Sequence, residues 1–116
     1  MENNLDGKYE LNNLISKTKN QINECWKLLM LSEFNEGMLL LDVIFQQLDV
    51  LINSISKIND KNLNIDIDIN IMFNIFVNLE YAMKSKDFIL VSDVLQYEIK
   101  PLISEWSIKI NNLYTR

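Results

Sequence analysis

Leu11, Leu14, Thr18, Ile22, Cys25 and Leu29 recur at steps of three and four residues, with Ile15 and Trp26 widening the stripe. That spacing stacks side chains along one side of an α-helix. Asn12, Lys17, Asn20, Asn23, Glu24 and Lys27 fill the other side. The pattern predicts a first helix over 10–31, preceded by a frayed stretch, 1–8, that Asp6 and Gly7 punctuate. A second helix is predicted over 33–57, with Ser32 as N-cap and Glu33 in its first turn. Its heptad is Phe34, Met38, Leu41, Phe45, Leu48, Ile52 and Ile55, and Gly37 inside it either permits close approach of the first helix or marks a cap that lies later, at Asn35. Leu40, Val43, Ile44 and Leu51 make the stripe wider than a two-stranded seam needs, which favours a bundle.

The helical period fails in KINDKNLN at 57–64, where Asn59, Asp60 and Asn62 are turn formers. Ile65, Ile67, Ile69 and Ile71 then alternate with polar residues, a strand-like signal. A lone strand would leave its backbone groups unpaired. The expectation is therefore an extended connector that lays isoleucines on the bundle and enters a helix with Asp66 or Asp68 as cap. A third helix follows over 69–84, with Ile69, Phe73, Phe76, Leu79 and Met83 on one face. Ser85, Lys86 and Asp87 form a tight turn, with Asp87 or Ser85 as cap, before a last helix over 87–114, whose face is Phe88, Val91, Leu95, Leu102, Trp106 and Leu113. Pro101 falls inside that helix and is expected to kink it near Glu98.

Two segments echo each other: LLMLSEFNEGMLLLDVI and NLEYAMKSKDFILVSDVL, with Asp42-Val43-Ile44 matching Asp93-Val94-Leu95. The expected fold is all-α, a single domain in which two helical hairpins form an antiparallel four-helix bundle.

Composition narrows function mainly by exclusion. The 116 residues are 48% apolar and carry a formal charge of −5 with no basic cluster. Nucleic-acid and anionic-membrane binding both need concentrated Lys and Arg, so neither is expected. No run of 18 apolar residues and no signal-peptide pattern occurs, and the cytoplasm is the expected location. With no histidine and a single cysteine, Cys25, no catalytic, cofactor-binding or metal site is expected, and no enzyme. The carboxylates Asp42, Asp49, Asp93 and Glu98 read as solvated charge. Glu98 stands apart because it falls between Leu95 and Leu102: it is either a flank position reaching water or a buried polar contact needing a donor.

The run YAMKSKDFILVSDVLQYEIKPLISEW resembles a segment of small, uncharacterised helical proteins of Firmicutes, and FQQLDVLINSI resembles their second helix. The resemblance implies an all-helical fold and no particular activity. A fainter similarity is to flagellar export chaperones of the FliT type, and it implies binding of an unfolded or helical segment of an export substrate. The residues themselves add a surplus of apolar positions outside the main stripes: Leu39, Val43, Ile44 and Val50 in the second helix, and Ile89, Ile103 and Ile108 in the last. Leftover apolar surface usually marks a partner site. The expected function is a protein-binding adaptor or chaperone-like module; the alternative is a homodimer closed by the same surface. Small-ligand binding is a third, less supported reading.

Overall fold

The first helix, α1 (Asn4–Met30), begins earlier than its pattern predicts: Gly7 and Lys8 are helical. Once the Leu11–Ile15 face is anchored, each added residue gains a hydrogen bond, so a helix extends beyond its patterned core. α2 (Phe34–Asp60) and α3 (Asn70–Lys84) follow. A C-terminal helix is built from α4 (Phe88–Val94), a π-helical turn (Leu95–Ile99) and α5 (Lys100–Tyr114). The computed structural model describes residues 4–60 and 65–114, and no strand occurs among them. The turn expected at Asn62 and the core position expected for Leu113 lie outside what is described.

The two hairpin turns are built alike. At the end of α1, Glu33 N–H donates to Leu28 O and Ser32 N–H to Leu29 O; at the end of α3, Asp87 N–H donates to Ala82 O and Lys86 N–H to Met83 O. This is the Schellman pattern, which needs a left-handed residue after the helix. Ser32 (φ 63°) and Lys86 (φ 56°) supply it. Ser32 thus terminates α1 and does not cap α2, a correction to the expectation from spacing. Asp87 does act as N-cap, its Oδ1 accepting from Leu90 N–H at 3.1 Å. Both turns lie at one end of the bundle, where Phe34 and Phe88 stack with ring centroids 4.3 Å apart. The echo is therefore real in geometry, with the turns matching at an offset of 54 residues (88 − 34), not the 51 of the Asp-Val motif.

α1 is the central helix, packed on α2 and on α4 and α5. Its junction with α2 is close at Gly37, where a Cβ would lie 2.7 Å from Leu29 Cδ2. The buried Cys25 thiol donates to Gly37 O at 3.3 Å, and Thr18, also buried, has Leu14 O (2.7 Å) and Gln47 Oε1 (2.9 Å) in reach of its one hydroxyl proton. Polar pairs tie α1 to α5: Asn12 Nδ2 donates to Asn111 Oδ1 (2.8 Å), Ser107 Oγ to Asn12 Oδ1 (2.7 Å) and Lys100 Nζ to Asn23 Oδ1 (2.8 Å). The connector behaves as its alternation predicts. Ile65 and Ile67 are buried, Asp66 and Asp68 are exposed, and Asp68 Oδ1 accepts from Asn70 N–H at 3.0 Å.

Two helices are rotated from the predicted faces. In α2 the buried residues are Leu41, Ile44, Leu48, Leu51, Ile52, Ile55 and Ile58, so four of the predicted heptad are inside, while Met38 and Phe45 sit on the flank and Phe34 is exposed. In α3 it is Met72, Ile75, Leu79 and Ala82, with Phe73 exposed and Phe76 half-buried. Pro101 has its expected disruptive effect in a specific form. Lys100 N–H bonds Leu95 O, five residues back, so the turn ahead of the proline is widened to π. That turn holds one extra residue, which rotates everything after it by about 100°. Ile99, Ile103, Trp106 and Ile110 therefore face the core, and Leu102 is only half-buried.

Candidate functional site

The rotation of α2 decides which apolar residues remain outside. Leu39, Val43 and Val50 stand at i, i+4 and i+11, within about 40° of one another around the helix. They are 70%, 39% and 54% exposed. They lie outside both the predicted heptad and the buried line of α2, and the bundle leaves them exposed. Ile44, which the sequence places in the same surplus, is fully buried: it belongs to the line that packs on α1.

The side of α2 that faces α3 is fixed by an aromatic chain. Phe45 meets Phe76 edge-on (5.8 Å, 82°), and Phe76 meets Phe73 (6.4 Å, 63°). Asp42 and Asp49 lie three residues before and four after Phe45, so they fall between this seam and the outer stripe of Leu39, Val43 and Val50. Both are exposed, and neither enters an ion pair among the described residues. From Phe34 to Ser56 the chain has Glu36, Asp42 and Asp49 and no Lys or Arg. The outer surface of α2 is thus apolar and negative together. α2 also has the length and composition of a membrane span over Phe34–Ile58, although only a third of its most apolar window is buried. Its apolarity has two visible causes here, a core line on one side and an exposed stripe on the other.

The remaining predicted residues scatter. Ile89 is exposed at the turn end, beside a cleft of about 370 Å³ bounded by Leu29, Met30, Phe34, Lys86 and Phe88. Ile108 stands exposed on α5, far along the chain from either surface. Ile103 is fully buried, because the π turn brings it to the core in place of Leu102. Glu98 is exposed: within the π turn Ile99 takes the inward position, so the alternative of a buried polar contact is overturned. Sequence reasoning missed the outer stripe of α3, where Phe73, Val77 and Tyr81 are exposed at i, i+4 and i+8. It placed Phe73 on the core side, although that four-residue spacing was available as a signal.

Among the described residues no three metal-ligating side chains come together. Burial pushes the Cys25 thiol up to about 11, which removes the thiolate needed for nucleophilic chemistry. A polar notch between α1 and α5, lined by Asn12, Ser16, Lys19 and Asn111, has its Asn12 and Asn111 amides bonded to each other. The outer face of α2 is marked by an exposed aliphatic stripe flanked by two carboxylates.

A family model described as a domain of unknown function (DUF8042) matches residues 8–109. Comparison with curated proteins and with solved structures gave no significant match in either.

Proposed function

We propose that this chain, which belongs to the DUF8042 family, is a protein-binding module whose docking surface is the outer face of α2. The observation that carries the reading is the line of Leu39, Val43 and Val50, exposed on a helix whose opposite side already fills the core. Three aliphatic side chains in register on one helix are the kind of anchor set that accepts a partner helix. The faint resemblance to FliT-type export chaperones fits an adaptor or chaperone-like role in the cytoplasm, whereas the resemblance of 80–106 to small helical Firmicutes proteins implies the fold and no particular activity. No reaction is assigned to the module.

The test compares Leu39→Asp/Val43→Asp with Ile108→Asp and the parent chain, each immobilised and exposed to lysate of the source organism. The variants alter exposed positions, so their melting temperatures should stay within about 2 °C of the parent. A partner held by the parent and by Ile108→Asp, but lost by the α2 variant, is the expected result. Light scattering that shows a tight dimer, dissolved by the α2 variant, would assign the stripe to self-association and sink the reading.

A further inference from the structure

We infer that the occupant of the α2 face is a positively charged amphipathic helix of another protein, its apolar side on Leu39, Val43 and Val50 and its lysines or arginines on Asp42 and Asp49. The inference rests on the docking reading above and adds the chemistry of the partner.

Geometry sets the shape of the partner. The stripe from Leu39 to Val50 spans eleven residue steps, about 16 Å along the helix, or three turns. A partner helix of three to four turns laid along it can meet all three anchors with its own i, i+4 and i+11 positions. Asp42 and Asp49, seven residues apart, flank the same length and are two turns apart on one side. Beyond them lie the half-buried Met38 and Phe45, so the two carboxylates stand between two apolar strips.

Charge sets the sign. No Lys or Arg lies between Phe34 and Ser56, Lys57 in the last turn of α2 is eight residues beyond Asp49, and none of Glu36, Asp42 and Asp49 enters an ion pair among the described residues. Some carboxylates elsewhere have a cation in reach, with Lys84 3.7 Å from Glu80 and Lys109 3.4 Å from Glu105 and 3.8 Å from Asp66, while Asp93 and Glu98, like Asp42 and Asp49, enter no ion pair among the described residues. What sets α2 apart is its long stretch without a basic residue. A second copy of this chain fits the face poorly. A two-fold axis through the stripe would bring Asp42 and Asp49 of one copy against Asp49 and Asp42 of the other, and like charges at an interface suppress pairing. A partner carrying the opposite charge gains where a second copy loses.

The experiment titrates the full chain, isotope-labelled for amide NMR, with three synthetic helical peptides that share leucines at i, i+4 and i+11. Their flanking positions carry lysine, glutamine or glutamate. The lysine peptide should shift amides of residues 38–53, and the glutamate peptide should not. Asp42→Asn/Asp49→Asn should weaken the lysine peptide about twofold to thirtyfold, the range expected for two partly exposed ion pairs. Raising the salt should weaken the parent complex and leave that of the variant almost unchanged. Equal binding of the lysine and glutamine peptides, with no effect of the double variant, would overturn the charge inference and leave the docking surface standing. Shifts confined to other helices, or untouched by Leu39→Ser/Val43→Ser, would overturn both.

Discussion

Gly37→Ala sets two known effects against each other, and the packing around Leu29 decides which wins. Alanine is the better helix former by about 1 kcal/mol, so on an open helix the substitution would stabilise the chain. Here the new Cβ would stand 2.7 Å from Leu29 Cδ2 and 3.2 Å from Leu29 Cγ. An ordinary carbon contact is about 3.5–4.0 Å, so Leu29 would have to retract by nearly 1 Å. Leu29 is buried within the core cluster and has little room to do so. Overpacking of this kind costs about 1–3 kcal/mol. The net expectation is a loss of about 1 kcal/mol, which for a domain of this size lowers the melting temperature by roughly 4–6 °C.

The decisive measurement is a double-mutant cycle with Leu29→Ala, read by urea unfolding. Leu29→Ala alone should cost about 2–5 kcal/mol through lost contacts and a cavity. Without the leucine's outer atoms, the nearest neighbour of the new Cβ is Leu28 Cβ at 3.6 Å, an ordinary contact. In that background Gly37→Ala should stabilise by about 0.5–1 kcal/mol, its intrinsic helix preference. The sign of the substitution therefore reverses, with a coupling of about 2 kcal/mol, within the range for side chains in direct contact. A Gly37→Ala that stabilises the parent, or changes both backgrounds equally, would refute the close approach of α1 and α2 at this point.

Other substitutions probe the remaining joints. Ile103→Ala should cost about 2–5 kcal/mol and Leu102→Ala clearly less, because the π turn brings Ile103 to the core; equal losses in urea unfolding would contradict that register. Lys86→Gly should raise stability by about 0.5–1 kcal/mol by relieving a left-handed backbone, and a drop in melting temperature would argue against that turn. Leu48→Asp should abolish cooperative unfolding, since it buries an unpaired charge in a fully enclosed position; a parent-like melt would place the α2 face elsewhere. Cys25 ionises near 9 when unfolded and near 11 when folded, so above pH 9 the unfolded state sheds its proton first. Stability contributed by this group is intact below pH 9 and falls as pH rises toward 11, by on the order of 2 kcal/mol relative to Cys25→Ala. A flat difference between the two chains over that window would sink the assignment.

Much of this fold was legible because local signals agreed. Apolar spacing located the helices, Asp87 marked its own cap, and the Ile65–Ile67 alternation marked a connector resting on the core. Helix rotation was harder for a physical reason. Leu41, Leu48 and Ile55 belong to two overlapping heptads of α2, one continuing through Phe34, Met38 and Phe45, the other through Ile44, Leu51 and Ile58. Either is a good amphipathic face, and the choice depends on which neighbour approaches Gly37. Spacing alone places Leu39, Val43 and Val50 outside both heptads, and the rotation sets how far each is exposed. Ile44 and Ile103 are different. The burial of the first depends on that choice of heptad, and the burial of the second on the residue that a π turn adds ahead of Pro101.

The docking face follows from the same rotations. Where α1 and α2 meet most closely the contact is made with Gly37 and Cys25, and small residues are what close approach requires. Phe45, Phe73 and Phe76 are too large for such a position, and the helices turn so that these rings bridge α2 and α3 at the flank. Turning the rings outward moves Ile44, Leu51 and Ile58 inward, and α2 is then apolar around most of its circumference. Two neighbouring helices cover only part of that surface. Three exposed aliphatic residues on such a helix would favour non-specific association if nothing interrupted them. Asp42 and Asp49 interrupt them. On the proposed reading, carboxylates at that spacing would disfavour pairing of two copies while remaining available to a partner of opposite charge, so the same two side chains would serve against self-association and for selectivity.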